Sequence, residues 1–144
     1  MGSISPNFSW PELRSPLVKG GARVVDVPPE LRGNTMRLVA ALELLRAELG
    51  HRVGATVALR VISGYRTPEY NQSIGGASRS RHMTGEAADV QAYIVATGAA
   101  VSPGTVQSAA FALQRQGSIG GVGSYPTFTH VDVGPRRSWG EAGE

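Results

Sequence analysis

The chain has no cysteine among its 144 residues. That excludes disulfide staples and thiolate chemistry, and it leaves imidazole and carboxylate as the groups able to hold a metal. Long apolar runs are missing too: none approaches the ~20 residues of a helical membrane span. Histidine occurs only as His51, His82 and His130, aromatic residues make up 6%, and charged residues 17%. So little charge argues against a coiled coil or a disordered tail. The opening Met1-Gly2-Ser3-Ile4-Ser5-Pro6-Asn7-Phe8 has no basic segment leading into an apolar one, so it reads as no secretory signal. The expectation is a protein made in the cytoplasm that reaches any outside target by another route.

What is present suits one folded unit. Hydrophobic residues make up 41%, with 19 glycines, which fits a single loop-rich domain over 1–144 able to bury its own core. The formal charge of +3, with a sequence pI near 9.8, fits ordinary solubility or attraction to an anionic surface such as a bacterial wall. The basic residues are scattered, and the stretch around Arg137 is too short to line a groove, so no nucleic-acid partner is expected.

Residues 1–27 read as an irregular N-terminal segment packed on the domain, with a turn at Ser9-Trp10-Pro11-Glu12-Leu13 capped by Ser9 and with Phe8, Trp10 and Leu13 against the core. Leu38, Ala41, Leu42, Leu45 and Leu49 recur at helical spacing, which predicts a helix from Pro28 to Leu49 stopped by Gly50, with His51 solvated beyond it. Ala55 to Ile62 reads as a strand and 64–81 as a loop with a short helix after Pro68. Ala87 to Tyr93 is a second strand. Ser102 to Gln116 is a second helix, with Ser102 as cap and Pro103 first, and 120–124 and 128–133 are closing strands. This order predicts an α+β domain: a small antiparallel sheet with flanking helices.

Two segments carry chemistry. In Thr129-His130-Val131-Asp132-Val133, strand alternation puts His130 and Asp132 on one face and the valines on the other. A surface edge with unrelated polar groups is the plain alternative to a site. In Ser80-Arg81-His82-Met83-Thr84-Gly85-Glu86-Ala87-Ala88-Asp89, Gly85 permits a tight turn or close approach, and a strand would carry Asp89 into the sheet. A buried carboxylate there needs a partner, either a metal ion or an arginine. Two imidazoles and one carboxylate match the ligand count of an open catalytic zinc site with water in the fourth position.

Three ordered motifs, Ser63-Gly64-Tyr65-Arg66-Thr67-Pro68-Glu69-Tyr70-Asn71, then Ser80 to Asp89, then Phe128 to Asp132, resemble the M15 family of zinc D-Ala-D-Ala peptidases, in its compact phage and bacterial form. The likeness extends to Asn7–Leu13 and to Arg136-Arg137-Ser138-Trp139. It implies a hedgehog/D-Ala-D-Ala peptidase-like fold and zinc held by His82, Asp89 and His130. It implies that Arg66 holds a carboxylate or carbonyl of the substrate and that Ser80 lies beside it. The implied reaction is hydrolysis of peptidoglycan stem peptides, by a carboxypeptidase or by an endopeptidase of endolysin type acting after lysis or delivered on a phage-like particle.

The chain departs from the family at one place. Many members have an acidic general base three residues before the third ligand, where this chain has Thr127. Asp132 becomes the candidate base, or else a residue that orients His130; Glu86 is a weaker candidate. The alternative function is a non-catalytic, zinc-stabilised module that binds cell wall or sits in a phage tail.

Overall fold

The computed structural model describes residues 3–16 and 24–140. Of the N-terminal segment 1–27, residues 1–2 and 17–23 lie outside the described residues; the rest is more ordered than its composition suggests. Strands β1 (Ser3–Ser5) and β2 (Phe8–Ser9) pair antiparallel, and so do β3 (Ser15–Pro16) and β4 (Val24–Val25). Between them lies a 3-10 turn, Trp10–Leu13, preceded by Ser9. The Glu12 carboxylate accepts from the Ser9 N–H (2.9 Å) and hydroxyl (3.0 Å), which closes the turn. Phe8 and Leu13 are buried and Trp10 packs against the same core, so apolar anchoring supplies the order that a polar count misses.

Helix α1 (Arg32–Val53) follows a 3-10 turn at Pro29–Leu31. It buries Leu38, Ala41, Leu42, Leu45 and Leu49, the stripe expected from spacing. It does not stop at Gly50. It continues for another turn to Gly54, whose left-handed φ of 70° turns the chain while its N–H bonds to the Gly50 carbonyl at 2.9 Å. Gly54 suits that αL cap because it has no Cβ to clash. His51 is therefore exposed in the last helical turn rather than beyond it.

The remaining elements are β5 (Val57–Ser63), α2 (Pro68–Ser73), a 3-10 turn at Arg81–Thr84, β6 (Ala87–Ile94), β7 (Ala100–Val101), α3 (Pro103–Arg115), β8 (Gly121–Ser124), β9 (Thr129–Asp132) and β10 (Arg137–Gly140). Helix α3 begins as its sequence predicts, with the Ser102 side chain accepting from the Thr105 N–H at 3.2 Å and Pro103 in the first turn. The main sheet runs β10-β8-β9-β6-β5, with β7 on the far end of β6. Its pairs are antiparallel except β10, which lies parallel to β8 at the edge. The α+β class holds, and β7 and β10 are additions to the expected strands.

One sheet face carries Leu59, Val90, Val122 and Val131 into a core shared with Leu38, Leu42 and Leu45 of α1 and Val106 and Ala110 of α3. The alternate residues Asp89, His130 and Asp132 lie on the opposite face. No helix among the described residues is long and apolar enough to cross a membrane.

Candidate metal centre

The site is built by sheet register. In the antiparallel pair β6/β9, Asp89 stands opposite His130 and Ala87 opposite Asp132. Directly opposed residues project to the same face, so Asp89 and His130 meet side by side. His82 arrives from the 3-10 turn before β6. Ser80 caps that turn by accepting the His82 N–H at 3.2 Å. Gly85 ends it at φ 73°, where a Cβ would lie 2.7 Å from Thr35 Oγ1. Tight turn and close approach therefore both occur at Gly85. On the other side, the β5/β6 register shifts between Val61 and Ser63. The bulge brings Ser63 opposite Asp89 and sends the chain through Gly64 to Arg66, whose N–H bonds to the His82 carbonyl at 2.9 Å.

The three candidate ligands converge. Asp89 Oδ1 lies 3.2 Å from His82 Nε2 and 3.1 Å from His130 Nδ1. Among the described residues, His82, Asp89 and His130 can each offer one donor atom with all of them within 4.8 Å of one another. All three are buried, at 2%, 6% and 6% exposure.

The far side of each imidazole is already occupied. His82 Nδ1 donates to the Gly64 carbonyl at 2.8 Å, and His130 Nε2 to Asp132 Oδ2 at 2.8 Å. A neutral imidazole has one N–H, and each ring spends it there. In the neutral tautomers, two nitrogen lone pairs and a carboxylate oxygen face one another. Such a cluster can hold a cation, and borderline-soft zinc suits a set of two nitrogens and one oxygen.

Without an ion, the same groups meet through hydrogen bonds and charge. Burial holds the His82 imidazole below its ordinary pKa, against the pull of Asp89. Burial works the same way on His130, but its hydrogen bonds to Asp132 and Asp89 outweigh it and raise the pKa. Burial tends to raise the pKa of Asp89, yet the charge and hydrogen bonds of His82 and His130 keep it well below the usual carboxylate range. Asp132 is lowered despite burial, by His130 and by the N–H groups of Gly134 and Gly121.

Asp132 lies behind His130, on the side of the ring away from Asp89. Oδ2 takes His130 Nε2, and Oδ1 accepts from the N–H groups of Gly121 (2.9 Å) and Gly134 (3.0 Å). It is 2% exposed. Glu86 is turned elsewhere, into contacts with Arg81 (3.2 Å), Arg37 (3.5 Å) and the Thr84 hydroxyl. Thr127 is exposed and lines a separate groove with Arg60 and Tyr93.

Arg66 is a partner of the buried Asp89 carboxylate. Its Nη2 reaches Asp89 Oδ2 at 3.4 Å, while Nε and Nη1 reach Ser63 Oγ (3.3 Å) and Asn71 Oδ1 (3.2 Å). The carboxylate has one oxygen toward arginine and one toward the histidines. Arg66, Ser80, His82, Asp89 and His130 all line one cleft of about 660 Å³.

An aromatic wall completes the cleft. The Trp139 ring lies 4.9 Å from His130, and its Nε1 donates to the Tyr125 hydroxyl at 3.0 Å. Tyr125 stacks on Phe128 at 4.4 Å. The wall depends on glycines in β8. A Cβ on Gly123 would lie 2.8 Å from the Trp139 indole, and one on Gly121 would lie 2.2 Å from Asp132 Oδ2. Gly121-Val122-Gly123 thus keeps one face of its strand bare, so that indole and carboxylate can close on His130. Sequence reasoning assigned no role to Tyr125, Phe128, Trp139 or these glycines. The signal was the alternation itself, since glycine inside a strand often marks close approach.

A model of the Peptidase M15 family matches residues 7–132. The probable peptidoglycan L,D-endopeptidase MepK of Haemophilus influenzae is 41% identical over 88 residues, covering 56% of this chain and 42% of that protein. The peptidoglycan L,D-endopeptidase MepK of Escherichia coli K12 is 34% identical over 94 residues, covering 60% of this chain and 46% of that one. The chain spans less than half the length of these curated relatives. The family match takes in every residue of the His82–Asp89–His130 cluster, and the chain belongs to the Peptidase M15 family.

Proposed function

We propose that this chain hydrolyses peptide bonds in peptidoglycan stem peptides at a zinc ion held by His82, Asp89 and His130. The observation that carries the reading is the convergence of donor atoms from His82, Asp89 and His130, within 4.8 Å of one another, in the lining of a cleft of about 660 Å³. Zinc bound there would supply a Lewis acid to polarise the scissile carbonyl and lower the pKa of a water. The chain's own groups set the geometry. Gly64 and Asp132 hold the two imidazoles with their lone pairs inward. Arg66 restrains the second oxygen of Asp89 and, from the cleft wall, is positioned to meet a substrate carbonyl or carboxylate. Asp132 acts through His130 as a positioning residue, since its lone pairs are engaged behind the ring. Ser80 sits at the cleft edge beside the bound peptide. The relatives' activity, L,D-endopeptidase, favours an internal bond over release of terminal D-Ala. Action on the cell wall follows from such a substrate.

The test is digestion of purified peptidoglycan with and without chelator and zinc add-back, with products read by mass spectrometry. Chelator-sensitive new internal termini support the endopeptidase, and released D-Ala the carboxypeptidase. Cleavage that survives His82→Ala refutes the assignment.

A second reading has two observations in its favour: Asp132 already accepts from three donors, and Thr127 lines another groove. A zinc-stabilised module that holds wall peptides without cutting them would need no base in the cleft. Wall binding by the folded, zinc-loaded protein without any product would select it.

A further inference from the structure

Arg137 stands on the wall of the same cleft. The carboxylate of Asp89, which lines this cleft, is paired with Arg66, and that of Asp132 is buried and engaged by His130 and two backbone N–H groups. The other arginines of the cleft have partners: Arg66 has Asp89, and Arg81 has Glu86. Arg137 is exposed and forms no ion pair among the described residues.

Its placement is nonetheless fixed. The Arg137 N–H bonds to the Gly120 carbonyl (3.3 Å), and its carbonyl accepts from Gln114 Nε2 (3.1 Å). Ser138 Oγ also accepts from Gln114 Nε2, at 3.0 Å, on the helix side of β10. Strand alternation therefore sends Arg137 and Trp139 together to the cleft side. The guanidinium lies 4.4 Å over the Trp139 ring, which itself lies 4.9 Å from His130. A guanidinium resting its face on an indole keeps its N–H groups in the exposed plane, where they form a ready fork for a carboxylate.

We propose that Arg137 is a specificity residue that pairs with a free carboxylate on the peptide in the cleft; this rests on the reading of the cleft as a peptide site. Two ring contacts separate it from His130, so the carboxylate belongs to a residue within two or three positions of the scissile bond, at roughly 3.3–3.6 Å per extended residue. The substrate class is an acidic stem peptide rather than its amidated counterpart.

The experiment uses the zinc-loaded full chain and two synthetic stem peptides, identical except that one carries a free carboxylate flanking the scissile bond and the other its primary amide. Binding is measured by calorimetry and cleavage by mass spectrometry. The wild-type chain is expected to bind the acid about fivefold more tightly than the amide, the upper range for a partly exposed ion pair. Arg137→Gln should bring the acid down to the amide's affinity and leave the amide unchanged. Arg137→Lys, which keeps charge but loses the fork, should fall between. Arg115→Gln, outside the cleft, should keep the full preference. Equal wild-type affinity for both peptides, or an Arg137→Gln loss of the same factor on both, overturns the proposal. Because binding is read separately, an acid preference without turnover supports Arg137 while refuting hydrolysis. Absence of binding to either peptide overturns both.

Discussion

Replacing Asp132 by asparagine tests the tautomer argument at a single atom. The change is nearly isosteric, so packing barely alters. Oδ1 accepts two backbone N–H groups, from Gly121 and Gly134, and only the amide oxygen can take that place. The amide nitrogen is then forced toward His130 Nε2, where the carboxylate now accepts at 2.8 Å. A donor facing a donor compels the imidazole to shift its proton to Nδ1. That is the atom that lies 3.1 Å from Asp89 Oδ1 and supplies the lone pair for a metal. Loss of such a supporting partner typically costs ~10–100-fold in metal affinity, which is about 1.4–2.7 kcal/mol at ~1.36 kcal/mol per decade. The assay is competition for zinc against a chromophoric chelator, with a thermal melt to show that the variant is folded. A folded Asp132→Asn protein that binds zinc as tightly as the wild type would refute the claim that Asp132 sets the state of His130.

Three other perturbations probe the same architecture. In Gly121→Ala the new methyl would lie 2.2 Å from Asp132 Oδ2; it should cost about 1–3 kcal/mol as overpacking and weaken zinc binding, measured by denaturant melts and the same competition, and unchanged affinity would count against the role of the bare strand face. Leu45→Ala, at a fully buried position in α1, should destabilise by roughly 2–5 kcal/mol while the folded fraction keeps its zinc affinity, a separation that melts and titrations can read. Asp89 and Asp132 have folded pKa values below their ordinary range, so the metal-free chain should keep their contribution above an unfolded pKa of about 3.9 and lose it as pH falls through the lower folded values; urea melts from pH 5 to pH 2 should show the loss, and Asp132→Asn should flatten it.

The sequence made some of this legible because local rules were not overridden. Leucines at helical spacing could bury only one stripe, and Ser102-Pro103 offers both a cap and a first-turn residue, so the buried face of α1 and the start of α3 follow from side-chain chemistry alone. Strand alternation likewise paired His130 with Asp132 on one face. The misreadings arise where two local solutions were equally good. Gly50 and Gly54 both suit a helix end, and the left-handed cap went to Gly54, which leaves His51 and Arg52 in a last turn where basic residues complement the helix dipole. Strand β10 has four residues and pairs parallel to β8, a long-range choice that no window of sequence contains.

The role of Asp132 is a sharper case. Sharing a face with His130 fits a base that meets water as well as it fits a brace that holds the ring. What favours the brace we propose is which imidazole nitrogen turns outward and how many backbone donors the carboxylate accepts, and the second depends on register with β8. Gly121 provides the missing piece by supplying an N–H and no side chain. Glycines that look like looseness in composition are here the positions that let His130, Asp132 and Trp139 close on one another. A site assembled from three strands is thus written partly in residues with no chemistry of their own, and those are the ones a search for reactive side chains passes over.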